Sequence, residues 1–104
     1  MIRIEFFTSD EMITGFECKG HTGIADSGED VVCAFISSAC YLTANTVTEV
    51  MKLDADAAQA DGYMRLQINS SPKKAQDILN GLILHLNELQ KDYPDNIKVK
   101  FTEV

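Results

Sequence analysis

Stretches in which apolar residues recur at every second position give way to stretches in which they recur every three to four, and this switching of period most restricts the fold. Ile2, Ile4 and Phe6 alternate with Arg3, Glu5 and Phe7, as in a half-buried strand. Ser9-Asp10-Glu11 carries turn chemistry, and Met12, Thr14, Phe16 and Cys18 then share one face of a second strand, so the two predict a hairpin. From Val31 the period lengthens: Val32, Phe35, Ile36, Ala39, Leu42, Val47 and Val50 fall near helical spacing, which predicts a core helix. Cys33, Ser37, Cys40 and Ala44 share its neighbouring face of small and polar side chains.

The segment 53–60 fits no single period. Asp61-Gly62 is a hairpin signal, and Met64, Leu66 and Ile68 alternate after it, so two further strands are expected. Ser71 and Pro72 read as N-cap and first residue of a second helix, whose apolar stripe is Ala75, Ile78, Leu79, Leu82, Leu86 and Leu89. That helix should end before Pro94, and Ile97, Val99 and Phe101 predict a last strand. The order is ββαββαβ. Two helices on one face of a mainly antiparallel sheet bury both stripes, which predicts an α+β fold in a single domain spanning 1–104.

Charge narrows the partners. Nine basic against sixteen acidic residues give a net charge of -7, which repels phosphate backbones and argues against direct nucleic-acid binding. No apolar run approaches the roughly 20 residues that span a bilayer, and the N-terminus carries acids where a leader would carry basic residues. The expectation is a cytoplasmic protein without a membrane segment. Three cysteines, Cys18, Cys33 and Cys40, leave at least one thiol free.

Chemistry concentrates between the second strand and the first helix. Residues 20–30 hold glycines 20, 23 and 28 and read as a loop. His21 lies in it, twelve positions before Cys33, which falls in the first two turns of the helix whether Asp30 or Ser27 caps it. A thiol becomes an effective nucleophile when ionised. A helix N-terminus favours the thiolate, and an imidazole can take its proton. Free backbone N–H groups at the same helix end could hold the oxyanion of a tetrahedral intermediate, with no metal or other cofactor. Cys40 and Cys18 read as packing residues, and His85 as a residue on the flank of the second helix. The competing chemistry is zinc, with Cys18, His21 and Cys33 as three tetrahedral ligands. Asp26, Glu29 and Asp30 match no calcium loop.

The string Gly20-His21-x-Gly23-x-Ala25-x-x-Gly28-x-Asp30-x-Val32-Cys33-Ala34-x-x-Ser37 resembles the signature of the ribosomal-processing cysteine protease family Prp. Thr22, Val31 and the bulky pair Phe35-Ile36 depart from it, and none of them removes a reacting atom. The resemblance implies that His21 and Cys33 form the catalytic dyad, base and nucleophile. Asp30 would then orient His21 or cap the helix, and Ser37 would line the site beside Gly20, Gly23 and Gly28. It further implies a homodimer that removes an N-terminal extension from large-subunit ribosomal protein twenty-seven. An acidic enzyme and a basic ribosomal precursor would attract over distance. A non-catalytic ribosome-assembly module using the same cleft is the other reading.

Overall fold

The computed structural model describes residues 1–20 and 27–104, with the backbone alone for 27–30. Its elements follow the expected order: β1 Ile2–Ser9, β2 Met12–Lys19, α1 Ser27–Asn45, β3 Ala55–Ala60, β4 Tyr63–Ile68, α2 Gln76–Asp92 and β5 Ile97–Glu103. One sheet runs β3-β4-β2-β1-β5, antiparallel except where β5 joins β1 in parallel. Parallel pairing needs a crossover, and α2 supplies it. Ile4, Phe6, Phe16, Leu66 and Ile97 from the sheet meet Val32, Ile36, Leu79 and Leu86 from the helices in one buried core.

Both hairpins have two-residue turns. Asp10 and Glu11 between β1 and β2 have positive φ (52° and 66°), as the tight turns matched to strand twist require, whereas Asp61-Gly62 places its positive φ (69°) on the glycine. Beyond the first turn, the expected face of β2 is only half right. Phe16 and Cys18 pair with Phe6 and Ile4, but a register shift between Phe7 and Thr8 then sets Thr8 opposite Ile13, so Ile13 is buried and Met12 and Thr14 are not. The extra residue of this bulge turns the strand over. Gln76 braces it: its side-chain amide accepts from the Ile13 N–H and donates to the Ile13 carbonyl, both at 2.9 Å, like one more ladder pair.

The helices differ from expectation at their starts. Ser71 and Pro72 do stand at the N-cap and first position, but of a 3₁₀ turn, Pro72–Ala75, that precedes α2; the Ser71 φ of 56° is left-handed and its side chain makes no capping bond. The α1 helix begins at Ser27, so residues 27–30 are helical, and Asp30 lies inside the first turn rather than at the cap. Its core face is Val32, Ile36, Cys40, Ala44 and Val47, while Phe35, Leu42 and Val50 from the predicted stripe are exposed. It runs on into a wider π turn, Thr46–Val50. Contrary to the sequence expectation, Val31–Val50 is long and apolar enough, by length and composition, to cross a membrane. Serines and threonines break up its apolar runs, but Glu49 is its one charge. Here its core face is packed on the sheet.

Candidate active site

Cys33 is half-buried on α1, in the wall of a cleft of about 420 Å³. Ser37, Cys40 and Tyr41 continue that wall, and the β3–β4 turn at Gln59 to Tyr63 stands opposite. The floor comes from the sheet through Ile2, Cys18 and Met64. Such a volume suits a few peptide side chains. Of the residues singled out from sequence, the structure brings Gly20, Cys33 and Ser37 to one cleft. His21 and Gly23 lie outside the described residues, and Gly28 and Asp30 are placed only as backbone in the first turn of α1.

Gly20 explains how β2 hands the chain to the following segment. Its N–H donates to the Gly62 carbonyl at 2.9 Å, extending the β2–β4 ladder one step past Lys19 and Tyr63. Its φ is 100°, and a Cβ there would sit 2.5 Å from the Met1 carbonyl oxygen. Gly20→Ala therefore meets left-handed strain of about 1–2 kcal/mol as well as a backbone clash. We expect a loss of about 2 kcal/mol or more and a Tm lower by about 10 °C. Thermal unfolding of the variant checks this, and an unchanged Tm would mean that the end of β2 shifts freely.

Electrostatics revise two sequence expectations. Cys33 is the seventh residue of α1, about 9 Å along the axis from Ser27 at 1.5 Å per residue. Helix-dipole effects fade within the first turn. The free N–H groups of the helix end are therefore more than a turn from Cys33, which weakens their expected part in ionising its thiol and in holding an oxyanion. Cys18, read from sequence as a packing residue, is not inert: interaction with the Cys40 thiol lowers its pKa, against the opposing effect of burial. The same interaction, with burial and the Cys18 charge, pushes the Cys40 thiol far up. On the face of β2 opposite Cys18, Tyr63 Oη donates to Glu17 Oε2 at 2.8 Å, and Lys19 Nζ lies 3.1 Å from Glu17 Oε1. Burial raises the Glu17 pKa, but these two partners outweigh it and keep the carboxyl below its ordinary value.

Among the described residues, no group of three or more His, Cys, Asp or Glu could hold a metal ion. The zinc reading needs His21 beside Cys18 and Cys33, and so falls outside them. His85 is exposed, away from the cleft, on a groove between the helices.

The family model for cysteine protease Prp matches residues 1–98. The chain belongs to this family. It is accordingly a cysteine protease, and the nucleophile class expected from the loop and helix is that of the family. A Bacillus subtilis (strain 168) relative, "Ribosomal processing cysteine protease Prp", is 30% identical over 97 residues, covering 86% of this chain and 87% of that protein. The protein of the same name from Staphylococcus aureus is 24% identical over 105 residues, covering 97% and 99%. The crystal structure of the S. aureus Prp in complex with a substrate peptide superposes with a TM-score of 0.87 at 23% identity, covering 98% of this chain and 100% of that one. A Streptococcus mutans protein superposes at 0.83, also at 23% identity, covering 100% and 96%. The fold of this Prp-family chain is thus shared along its whole length.

Proposed function

We propose that this Prp-family protease removes the N-terminal extension of large-subunit ribosomal protein twenty-seven during ribosome maturation, with Cys33 as nucleophile and His21 as general base. The observation that carries the reading is Cys33 half-buried in a peptide-sized cleft, with Gly20, the residue before His21 in sequence, on the same cleft. The names of the B. subtilis and S. aureus relatives support a ribosomal substrate.

In the proposed reaction His21 takes the Cys33 thiol proton, and the thiolate attacks the scissile carbonyl carbon. The tetrahedral intermediate collapses as His21 gives that proton to the leaving amine, which leaves a thioester on Cys33. Water then attacks the thioester, its proton passing to His21, and the acid product departs as the proton returns to the Cys33 sulfur. Ser37, one turn after Cys33, lines the cleft with Gly20, and Gly23 and Gly28 are proposed as further substrate-binding positions. Asp30 is proposed to orient His21, since its place within α1 removes the capping role. No cofactor enters these steps.

We further propose a cytoplasmic homodimer. Leu42 and Leu84 are 66% and 65% exposed, and Phe35, Leu42, Ile78, Leu82, His85 and Leu89 line an apolar groove between α1 and α2, which supports self-association there.

The test is incubation of the chain with ribosomal protein twenty-seven carrying its extension, read by mass spectrometry. The expected result is two fragments whose masses sum to the precursor plus one water. An intact precursor would overturn the assignment, and a stable complex without products would favour the binding module.

A further inference from the structure

Cys33 leaves two thiols on its cleft without a part in peptide hydrolysis. Cys18, on β2, and Cys40, on α1, both line the cleft, and they meet across the interface of sheet and helix. The two thiols are near enough to influence each other's ionisation, lowering the pKa of Cys18 and raising that of Cys40. Both are free thiols. Their exposure is unequal: Cys40 is 1% exposed, whereas Cys18 is half-buried at the floor of the cleft. A solute in the cleft therefore reaches Cys18 more readily than Cys40, which lines the same cleft. Thiolate character and access decide which thiol is oxidised, and a second thiol in contact decides whether the product is a disulfide.

We propose that Cys18 and Cys40 form a dithiol modification site, which a hydroperoxide entering the cleft converts into a disulfide tying β2 to α1 beside Cys33. In the first step the Cys18 thiolate attacks the peroxide, an S–O bond forms as the O–O bond breaks, and the departing oxyanion takes up a proton. Cys18 is then a sulfenic acid, oxidised by two electrons, and the peroxide is reduced. In the second step the Cys40 sulfur attacks the Cys18 sulfur, the S–O bond breaks, and hydroxide leaves as water with the Cys40 proton. Two thiols and one hydroperoxide give one disulfide, one alcohol or water, and one water. A covalent S–S bond is shorter than any contact between two unbonded thiols. It draws α1 toward β2 two turns after Cys33, narrowing the cleft and slowing cleavage until a thiol reductant restores the pair.

The readout is independent of the catalytic assignment, because it is the chemical state of two thiols. The reduced chain is treated with hydrogen peroxide and followed by intact mass and non-reducing peptide mapping. The expected result is a loss of about 2 Da, a link between the Cys18 and Cys40 peptides, and full reversal by dithiothreitol. Cys33→Ala should give the same link; if the link disappears there, Cys33 relays the oxidation and the pair is no independent site. Cys40→Ala should leave Cys18 to proceed to sulfinic acid, a gain of about 32 Da that dithiothreitol does not reverse. Singly oxidised Cys18 accumulating in the wild-type chain, or a disulfide that uses Cys33, overturns the proposal.

Discussion

Cys33→Ala is expected to lower turnover at least about 10³-fold while leaving the fold in place, because loss of a nucleophile from a covalent mechanism costs orders of magnitude. The fold should survive for reasons visible in α1. Cys33 is half-buried, so truncation removes one sulfur from a cleft wall and leaves no closed cavity in the core. Alanine is also a better helix former than cysteine. Val32 and Ile36, which anchor this turn to the sheet, are unchanged. The variant should therefore retain peptide affinity, and a catalytically dead chain that still binds separates nucleophile from binding residue. Wild-type-like turnover would remove Cys33 from the mechanism, and loss of binding together with turnover would make it a packing residue. The non-catalytic module predicts that ribosome-linked function is untouched by the same substitution.

β1, β4 and α2 were legible in the sequence because each has one wet face and one dry face. Ile2, Ile4 and Phe6 are buried as their alternation required, as are Ala75, Leu79, Leu82, Leu86 and Leu89 at helical spacing. The α1 helix was legible as a helix but not in its orientation, since apolar residues surround it. Val32, Ile36 and Val47 pack inward while Phe35, Leu42 and Val50 point outward, and no periodicity distinguishes two apolar faces. The bulge in β2 was hidden for another reason. Alternation assumes a regular ladder, and nothing near Ile13 announces the extra residue. Gly15 has a tertiary cause as well: a Cβ there would meet the Leu66 carbonyl oxygen at 2.3 Å, and that contact is made by a strand about fifty positions away. The cleft was legible only through its motif. Gly20, Cys33 and Ser37 were named from sequence, whereas the β3–β4 turn that faces them and the contact between Cys18 and Cys40 depend on how the sheet and helix pack.

The second large effect concerns His21. Because Cys33 sits in the second turn of α1, beyond the reach of the helix end's free N–H groups, the proposed mechanism leaves the imidazole to carry most of the proton transfer. His21→Ala is then expected to cost about 10²-fold or more in turnover near neutral pH. The loss should not be uniform in pH. Without a base, attack depends on the fraction of thiol already ionised, and an unassisted thiol with a pKa of about 8.5 gains roughly tenfold in thiolate per pH unit below that value. The wild-type chain gains less over the same range, because its dyad is already competent once the imidazole, ordinarily with a pKa of about 6.5, is neutral. The ratio of wild-type to variant turnover should therefore shrink between about pH 7 and pH 9. A base lost from the second step, where water attacks the thioester, keeps part of the defect at every pH, so recovery should be incomplete. Turnover measured across this range for both chains decides the matter. A constant ratio would mean that His21 positions the substrate and moves no proton.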